Sequence, residues 1–180
     1  MIAAVVAALK ELRIKPVLLA PTGRAAKVLA RYCGEQALTI HKRIYRQRTN
    51  ADYESKFSLD FNREQGAVFI VDEASMLSDS TGDGALFGSG SLLEDLVSYV
   101  RSGRGCRLIL VGDSAQLPPV GCDFSPALDP ATVSRYGEVV YGLMDEVVRQ
   151  QMQSGILFNA TLVHARKPYL RNTEIRNGLP

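Results

Sequence analysis

Val68-Phe69-Ile70-Val71-Asp72-Glu73 is a run of β-branched and aromatic residues that ends in two adjacent carboxylates. A segment apolar at every position, with no polar alternation, is what a strand covered on both faces requires, as in a parallel sheet flanked by helices. In open α/β sheets, ligands bind outside the carboxyl ends of the strands, which is where Asp72 and Glu73 fall. Neither acid suits a core, because burying an unpaired charge is too costly. One carboxylate can hold magnesium through oxygen, usually with waters between. The other can orient or deprotonate an attacking water. A strand that merely ends in two solvated acids is the plain alternative for this segment taken alone.

A second stretch repeats the pattern. Arg107 to Val111 reads as another buried strand, and it leads through Gly112-Asp113 into Ser114-Ala115-Gln116-Leu117-Pro118-Pro119-Val120-Gly121. Gly112 permits a tight turn. Gln116 carries a neutral amide that can donate to a phosphate oxygen or hold a water. Pro118 and Pro119 stiffen the loop that presents it. Two strands that each end in such a polar edge favour one nucleotide-binding rim over two unrelated loops. Ser78 to Gly90, rich in Gly, Ser and Asp, reads as a loop. It looks superficially like a phosphate loop, but no Lys-Ser/Thr follows, and no Gly-x-x-x-x-Gly-Lys-Ser/Thr occurs anywhere in the sequence.

The rest of the chain alternates helix and strand. Residues 2 to 13 predict a helix stopped at Lys15-Pro16, Pro16 to Ala20 a strand, and Arg24 to Cys33 a helix ended by Gly34. After His41 come a basic stretch, Lys42 to Arg48, and then a polar segment to Gly66, followed by a strand over 67 to 71. Leu92 to Arg101 predicts an amphipathic helix, Phe124 to Arg135 a loop or short helix, Glu138 to Tyr141 a short strand, and Ser154 to Ala165 a helix. This is the βαβ grammar of an α/β domain: a mostly parallel sheet with helices on both faces.

Composition sets bounds. A chain of 180 residues is one domain with a sizeable core. Apolar content of 46% and charged content of 22% are ordinary for a globular protein. A formal net charge of +2 does not by itself argue for nucleic acid, so any basic footprint must be local. The run Lys42-Arg43-Ile44-Tyr45-Arg46-Gln47-Arg48 is the local candidate, either a wet helix face or a stacking-and-charge patch. Cys33, Cys106 and Cys122 are odd in number and lack CxxC spacing, which suggests neither zinc nor a disulfide framework and fits a reducing compartment. The apolar opening Met1 to Leu9 has no basic lead or cleavage-like end, and Lys10-Glu11 continues it as a helix. No stretch reaches transmembrane length, so the expectation is a soluble cytoplasmic protein with no membrane partner.

Asp72-Glu73-Ala74-Ser75-Met76 and the Gly112 to Gly121 segment resemble motifs II and III of RecD-like DNA helicases of superfamily 1B. Leu19-Ala20-Pro21-Thr22-Gly23-Arg24-Ala25-Ala26-Lys27 resembles their motif Ia, and Thr39-Ile40-His41 the short DNA-contacting motif after it. Val147-Val148-Arg149-Gln150 with Ser154-Gly155-Ile156 resembles motif IV. These segments stand in family order between residues 18 and 156.

The resemblance implies an incomplete RecA-like P-loop NTPase domain over residues 1–166, with 167–180 a linker towards a second motor domain. It implies ATP and Mg2+ as cofactors. Asp72 would hold the metal, Glu73 activate water, and Gln116 with Arg149 sense the γ-phosphate. Pro21, Thr22, Gly23 and Arg24 would contact the phosphates of single-stranded DNA, extended by Thr39 and His41. Other recombination or repair proteins are implied as partners. The residues themselves leave blander readings open. Thr22 and Gly23 could simply cap a helix whose free amides attract an anion, and a lone histidine is usually packed or solvated.

In the family, the phosphate loop immediately precedes a helix like 2 to 13. Its absence implies a front end cut away before that helix, and two unpaired inner strand edges or a rearranged pairing in the sheet. The chain by itself is then expected to bind nucleotide weakly and hydrolyse it negligibly. The alternatives are a non-catalytic single-stranded DNA-binding module and an inactive truncated product.

Overall fold

Val68–Val71 forms the strand that organises the molecule. In the computed structural model, which describes residues 1–49, 55–79 and 87–144, all of its side chains are buried. The elements in order are α1 (Ile2–Glu11), β1 (Pro16–Ala20), α2 (Gly23–Cys33), β2 (Ala37–Thr39), α3 (Ile40–Ile44), β3 (Tyr45–Thr49), β4 (Ser55–Leu59), β5 (Val68–Val71), α4 (Leu92–Ser102), β6 (Arg107–Leu110) and α5 (Pro130–Ser134). Short 3-10 turns cover Ala74–Met76 and Pro126–Leu128.

Four strands make one parallel sheet in the order β2-β1-β5-β6. Pro16 pairs with Val68, Val68 with Arg107, and Ala20 with Thr39. Because every pairing is parallel, all four carboxyl ends open on the same rim. The period of two along β5 separates two cores. Val68 and Ile70 join Val6, Leu18 and Leu29 beneath α1 and α2. Phe69 and Val71 join Leu19, Ile40, Ile44, Leu93, Leu96 and Val100 beneath α3 and α4. Each such side chain contributes about 1.5–3 kcal/mol when removed from water, so covering β5 on both sides stabilises the fold substantially.

The helices start and stop where their sequences direct. Thr22 caps α2 by accepting from the Ala25 amide at 3.2 Å, and Gly34 ends it in the left-handed conformation. Ser91 caps α4 by accepting from the Glu94 amide, with Glu94 and Asp95 in the favourable first turn. Leu93, Leu96, Val97 and Val100 lie buried along α4 at helical spacing.

Three expectations need correction. First, β6 is not buried on both faces: Arg107 and Ile109 are exposed, while Leu108 and Leu110 are half-buried. Among the described residues it pairs with β5 alone. Leu108 and Leu110 pack on the α4 side, whereas α1 and α2 cover β1 and β5 but leave Ile109 at 36% exposure.

Second, neither two inner edges nor a rearranged sheet results. Among the described residues the four strands keep a continuous parallel order, with β2 and β6 as its two outer edges.

Third, Glu138 to Tyr141 has no regular secondary structure, and the polar stretch from His41 to Gly66 contains an antiparallel hairpin, β3 with β4, in which Tyr45 faces Leu59 and Gln47 faces Phe57.

The chain divides into two compact units, Met1–Val140 and Tyr141–Pro180. The described residues 141–144 of the second have no regular structure. Arg149, the helix expected over 154–165 and the linker expected over 167–180 lie outside the described residues, as does the middle of the Ser78 to Gly90 loop.

Candidate functional site

The rim is built by two loops that fold onto each other. β5 ends as the Asp72 amide donates to the Leu19 carbonyl at 3.0 Å. Glu73 then adopts a left-handed backbone, φ 55° and ψ 37°, which costs a residue with a β-carbon about 1–2 kcal/mol. Its amide donates to Asp72 Oδ1 at 3.0 Å. This turn swings the chain off the sheet axis into Ala74–Met76, where the Ala74 amide donates to the Val111 carbonyl at 2.8 Å. Strain of this kind persists where the surroundings enforce it, and it concentrates at functional sites.

Gly112 allows the approach. A β-carbon there would lie 2.9 Å from the Ser75 amide nitrogen, 3.0 Å from Leu128 Cδ1 and 3.2 Å from the Ala74 amide nitrogen. Beyond it, Asp113 closes a turn by accepting from the Ala115 amide at 2.8 Å through Oδ1. That turn presents Gln116, whose Oε1 accepts from the buried Ser75 hydroxyl at 3.5 Å. An amide held by its carbonyl oxygen carries both N–H donors on its other arm. Asp72 and Glu73, both half-buried, and the exposed Gln116 therefore stand at one end of the sheet, as the two sequence stretches predict.

Ser75 and the packing role of Gly112 are what the sequence reading missed. The signal was the pair of small residues, Ala74-Ser75, next to the acids, which is what a close crossing of two loops requires.

The residues expected to touch DNA leave neighbouring strands at the same end. Pro21, Thr22 and Gly23 follow β1, and Thr39 ends β2 opposite Ala20. Thr22 Oγ1 accepts from the Ala25 amide, and Thr39 Oγ1 from the Lys42 amide, each at 3.2 Å. Both hydroxyls thus cap helices. Arg24 is exposed.

His41 is half-buried, with its ring 5.7 Å from that of Tyr45 and edge-on to Phe87 at 5.1 Å. Burial holds its pKa below the ordinary histidine value. Since the folded pKa is the lower one, the unfolded chain takes the proton first as pH falls. The stabilisation is complete above about 6.5, the unfolded value, and declines below it. The fall in Tm between neutral and mildly acidic pH should therefore flatten in His41→Phe. An unchanged pH slope in thermal unfolding would exclude this role.

The basic run from Lys42 is divided between α3 and β3. Tyr45 is a core residue at 8% exposure, and its hydroxyl donates to Asp95 Oδ2 at 2.6 Å. It is therefore no stacking platform. Arg43 pairs with Glu64 at 2.7 Å, Lys15 with the same Glu64 at 2.8 Å, and Arg46 with Asp60 at 2.5 Å. These partners hold the Glu64 carboxyl below its usual range, chiefly through the Lys15 hydrogen bond.

The donor set meets part of what ATP and Mg2+ require. Among the described residues no group of three or more His, Cys, Asp or Glu is arranged to hold a metal. Magnesium at phosphate sites needs less, taking one or two carboxylates with substrate phosphates and waters. Asp72 fits that need, and Gln116 fits a phosphate oxygen. The Lys-Ser/Thr loop that would neutralise the β- and γ-phosphates is not among the 180 residues.

A parallel α/β sheet with an acid pair and an amide on its carboxyl rim defines a nucleotide-binding domain of the P-loop NTPase class. A family model described as AAA domain (AAA_19) matches residues 1–122, and the chain belongs to that family. This places it in the P-loop NTPase and helicase-like superfamily, whose domains generally bind ATP with Mg2+. A comparison with curated proteins finds no match. Among the described residues no helix is long and apolar enough to cross a membrane.

Proposed function

We propose that the chain is the first motor domain of an ATP-dependent DNA helicase of the RecD-like kind, whose intact form moves 5′ to 3′ along single-stranded DNA. The observation that carries the reading is the shared rim, where Asp72, Glu73 and Gln116 are brought together through the Gly112 crossing. Asp72 holds magnesium. Glu73 orients and deprotonates the attacking water. Gln116 and Arg149 sense the γ-phosphate, a planar guanidinium being suited to paired oxygen contacts. Bound ATP supplies the phosphoanhydride that is cleaved. Pro21, Thr22, Gly23, Arg24, Thr39 and His41 follow the DNA backbone, positioning it without reading sequence. Proteins of recombination or repair are the partners this reading implies. Family membership supports the nucleotide half, and the order of the motif-like segments supports the DNA half.

Titration with a fluorescent ATP analogue tests the rim. Binding should be weak, should require Mg2+, and should be lost in Asp72→Ala. Binding indifferent to both Mg2+ and that substitution would remove the metal role. Turnover by these 180 residues alone should be negligible. ATP hydrolysis stimulated by single-stranded DNA and abolished by Glu73→Gln would show that no Lys-Ser/Thr loop is needed. The lack of that loop in the sequence favours a second reading, a non-catalytic module that keeps only the DNA track. It predicts salt-sensitive DNA binding that Asp72→Ala leaves unchanged.

A further inference from the structure

A second polar recess lies away from the acid rim. Its volume is about 580 Å3, and its walls include Lys42, Arg43, Arg46, Phe61, Arg63 and Glu64. Glu64 is bound to Lys15, which leads into the amino end of β1, whereas Asp72 leaves the carboxyl end of β5. Asp72, Glu73, Gln116, Thr22 and Thr39 are not among the residues that line it, although Lys42, whose amide Thr39 caps, is.

Its charges do not cancel. Glu64 and Asp60 are taken up by Arg43, Lys15 and Arg46. Lys42 and Arg63 form no salt bridge among the described residues, and both are exposed on the same opening. Beside them Phe61 is 65% exposed, a large apolar ring with no cover. Arg43 Nε adds a buried donor that has no acceptor among the described residues, a situation proteins avoid. Two cations outside any salt bridge among the described residues, Arg63 acting on Asp60 only at longer range, next to an exposed aromatic ring are what a phosphate joined to a planar base requires.

We propose that this recess is a binding subsite for one nucleotide unit, with Lys42 and Arg63 on its phosphate and Phe61 stacked on its base. The phosphate has two possible sources, a free nucleotide or one residue of a single strand, and the chemistry of recognition is the same for both. The site goes beyond the motor reading and does not depend on magnesium or ATP hydrolysis.

The test uses the full chain, a fluorescein-labelled oligo-dT, and dTMP as competitor. The double variant Lys42→Gln/Arg63→Gln should lose the contact to that one phosphate, lowering the salt slope of oligo-dT binding by about 0.7. Phe61→Ala should weaken binding roughly fivefold or more. All three positions are exposed, so Tm should stay at the wild-type value. Displacement of oligo-dT by dTMP identifies a free nucleotide as sufficient, whereas binding of the oligomer alone that falls in the double variant and in Phe61→Ala identifies the strand as the source; oligomer binding indifferent to those substitutions belongs to the Pro21 to His41 track and overturns the site. No binding of either probe overturns it, as does wild-type affinity and salt slope in the double variant, or wild-type affinity in Phe61→Ala. Asp72→Ala should leave this binding unchanged, so failure of the ATP-analogue titration at the rim and failure of the recess are separately visible.

Discussion

Gly112→Ala should lower Tm by about 2–12 °C, because the added methyl group has nowhere to go. Its β-carbon would stand 2.9 Å and 3.2 Å from the backbone nitrogens of Ser75 and Ala74, and 3.0 Å from Leu128 Cδ1. Two of these three neighbours are main-chain atoms, and a leucine rotamer change does nothing for them. The loops must separate, at a cost of about 1–3 kcal/mol for overpacking a tight site. For a chain of this size each kcal/mol moves Tm by about 2–4 °C.

The same displacement strains the bond from the Ala74 amide to the Val111 carbonyl, now 2.8 Å, and draws Ser75 away from Gln116. Hydrogen exchange at the Ala74 amide should accelerate accordingly. Gly23→Ala is the control, since a β-carbon there meets nothing within 4 Å, and it should leave Tm equal or slightly raised. If both variants melt together with wild type, the crossing is looser than its distances indicate and the rim loses its physical basis.

That crossing also explains what could be read in advance. β5 was legible because a strand buried on both faces tolerates no polar residue, and Val68 to Val71 has none. The positions of Asp72 and Gln116 followed from strand ends, since parallel strands deliver their termini to one side whatever lies between.

β6 was misjudged because Leu108 to Leu110 has the same apolar composition as β5, and composition records the residue rather than its cover. Ile109 is exposed because, among the described residues, no helix lies over that side of an edge strand, a fact of topology.

The β3–β4 hairpin was hidden for the opposite reason. Tyr45-Arg46-Gln47-Arg48-Thr49 is too polar to announce a strand. It is held instead by partners distant in sequence: Leu59 opposite Tyr45, Phe87 stacked on Phe57 at 4.5 Å, and Asp95 fifty residues on. A charged residue between Leu93 and Leu96 on the buried side of α4 was the available clue, because a carboxylate there demands a donor.

Removing that donor is the second large effect expected. Tyr45→Phe takes away the hydroxyl that meets Asp95 Oδ2 at 2.6 Å, in a place where Tyr45 is 8% and Asp95 5% exposed. Asp95 keeps the Ser89 amide at 3.0 Å but loses its shortest donor. A buried hydrogen bond to a charged group is worth about 1.5–3 kcal/mol, so Tm should fall by about 3–12 °C.

The ring contacts survive the change, because Phe and Tyr present the same face to Phe87 at 5.3 Å. The loss therefore isolates the polar pair. Burial first, and then the hydrogen bond and charge of Asp95, push the Tyr45 hydroxyl above its ordinary pKa. A raised folded value gives stabilisation that is complete below the unfolded value of about 10 and is lost as pH rises beyond it. The Tyr45→Phe deficit should therefore stay constant through neutral pH and shrink only in strong alkali.

Asp95→Asn added to Tyr45→Phe should recover part of the loss, since a neutral amide is less costly to leave short of a partner. Denaturant unfolding of the two single variants and the double variant measures that coupling. Strict additivity would mean that the two side chains stabilise the hairpin independently, despite their 2.6 Å contact.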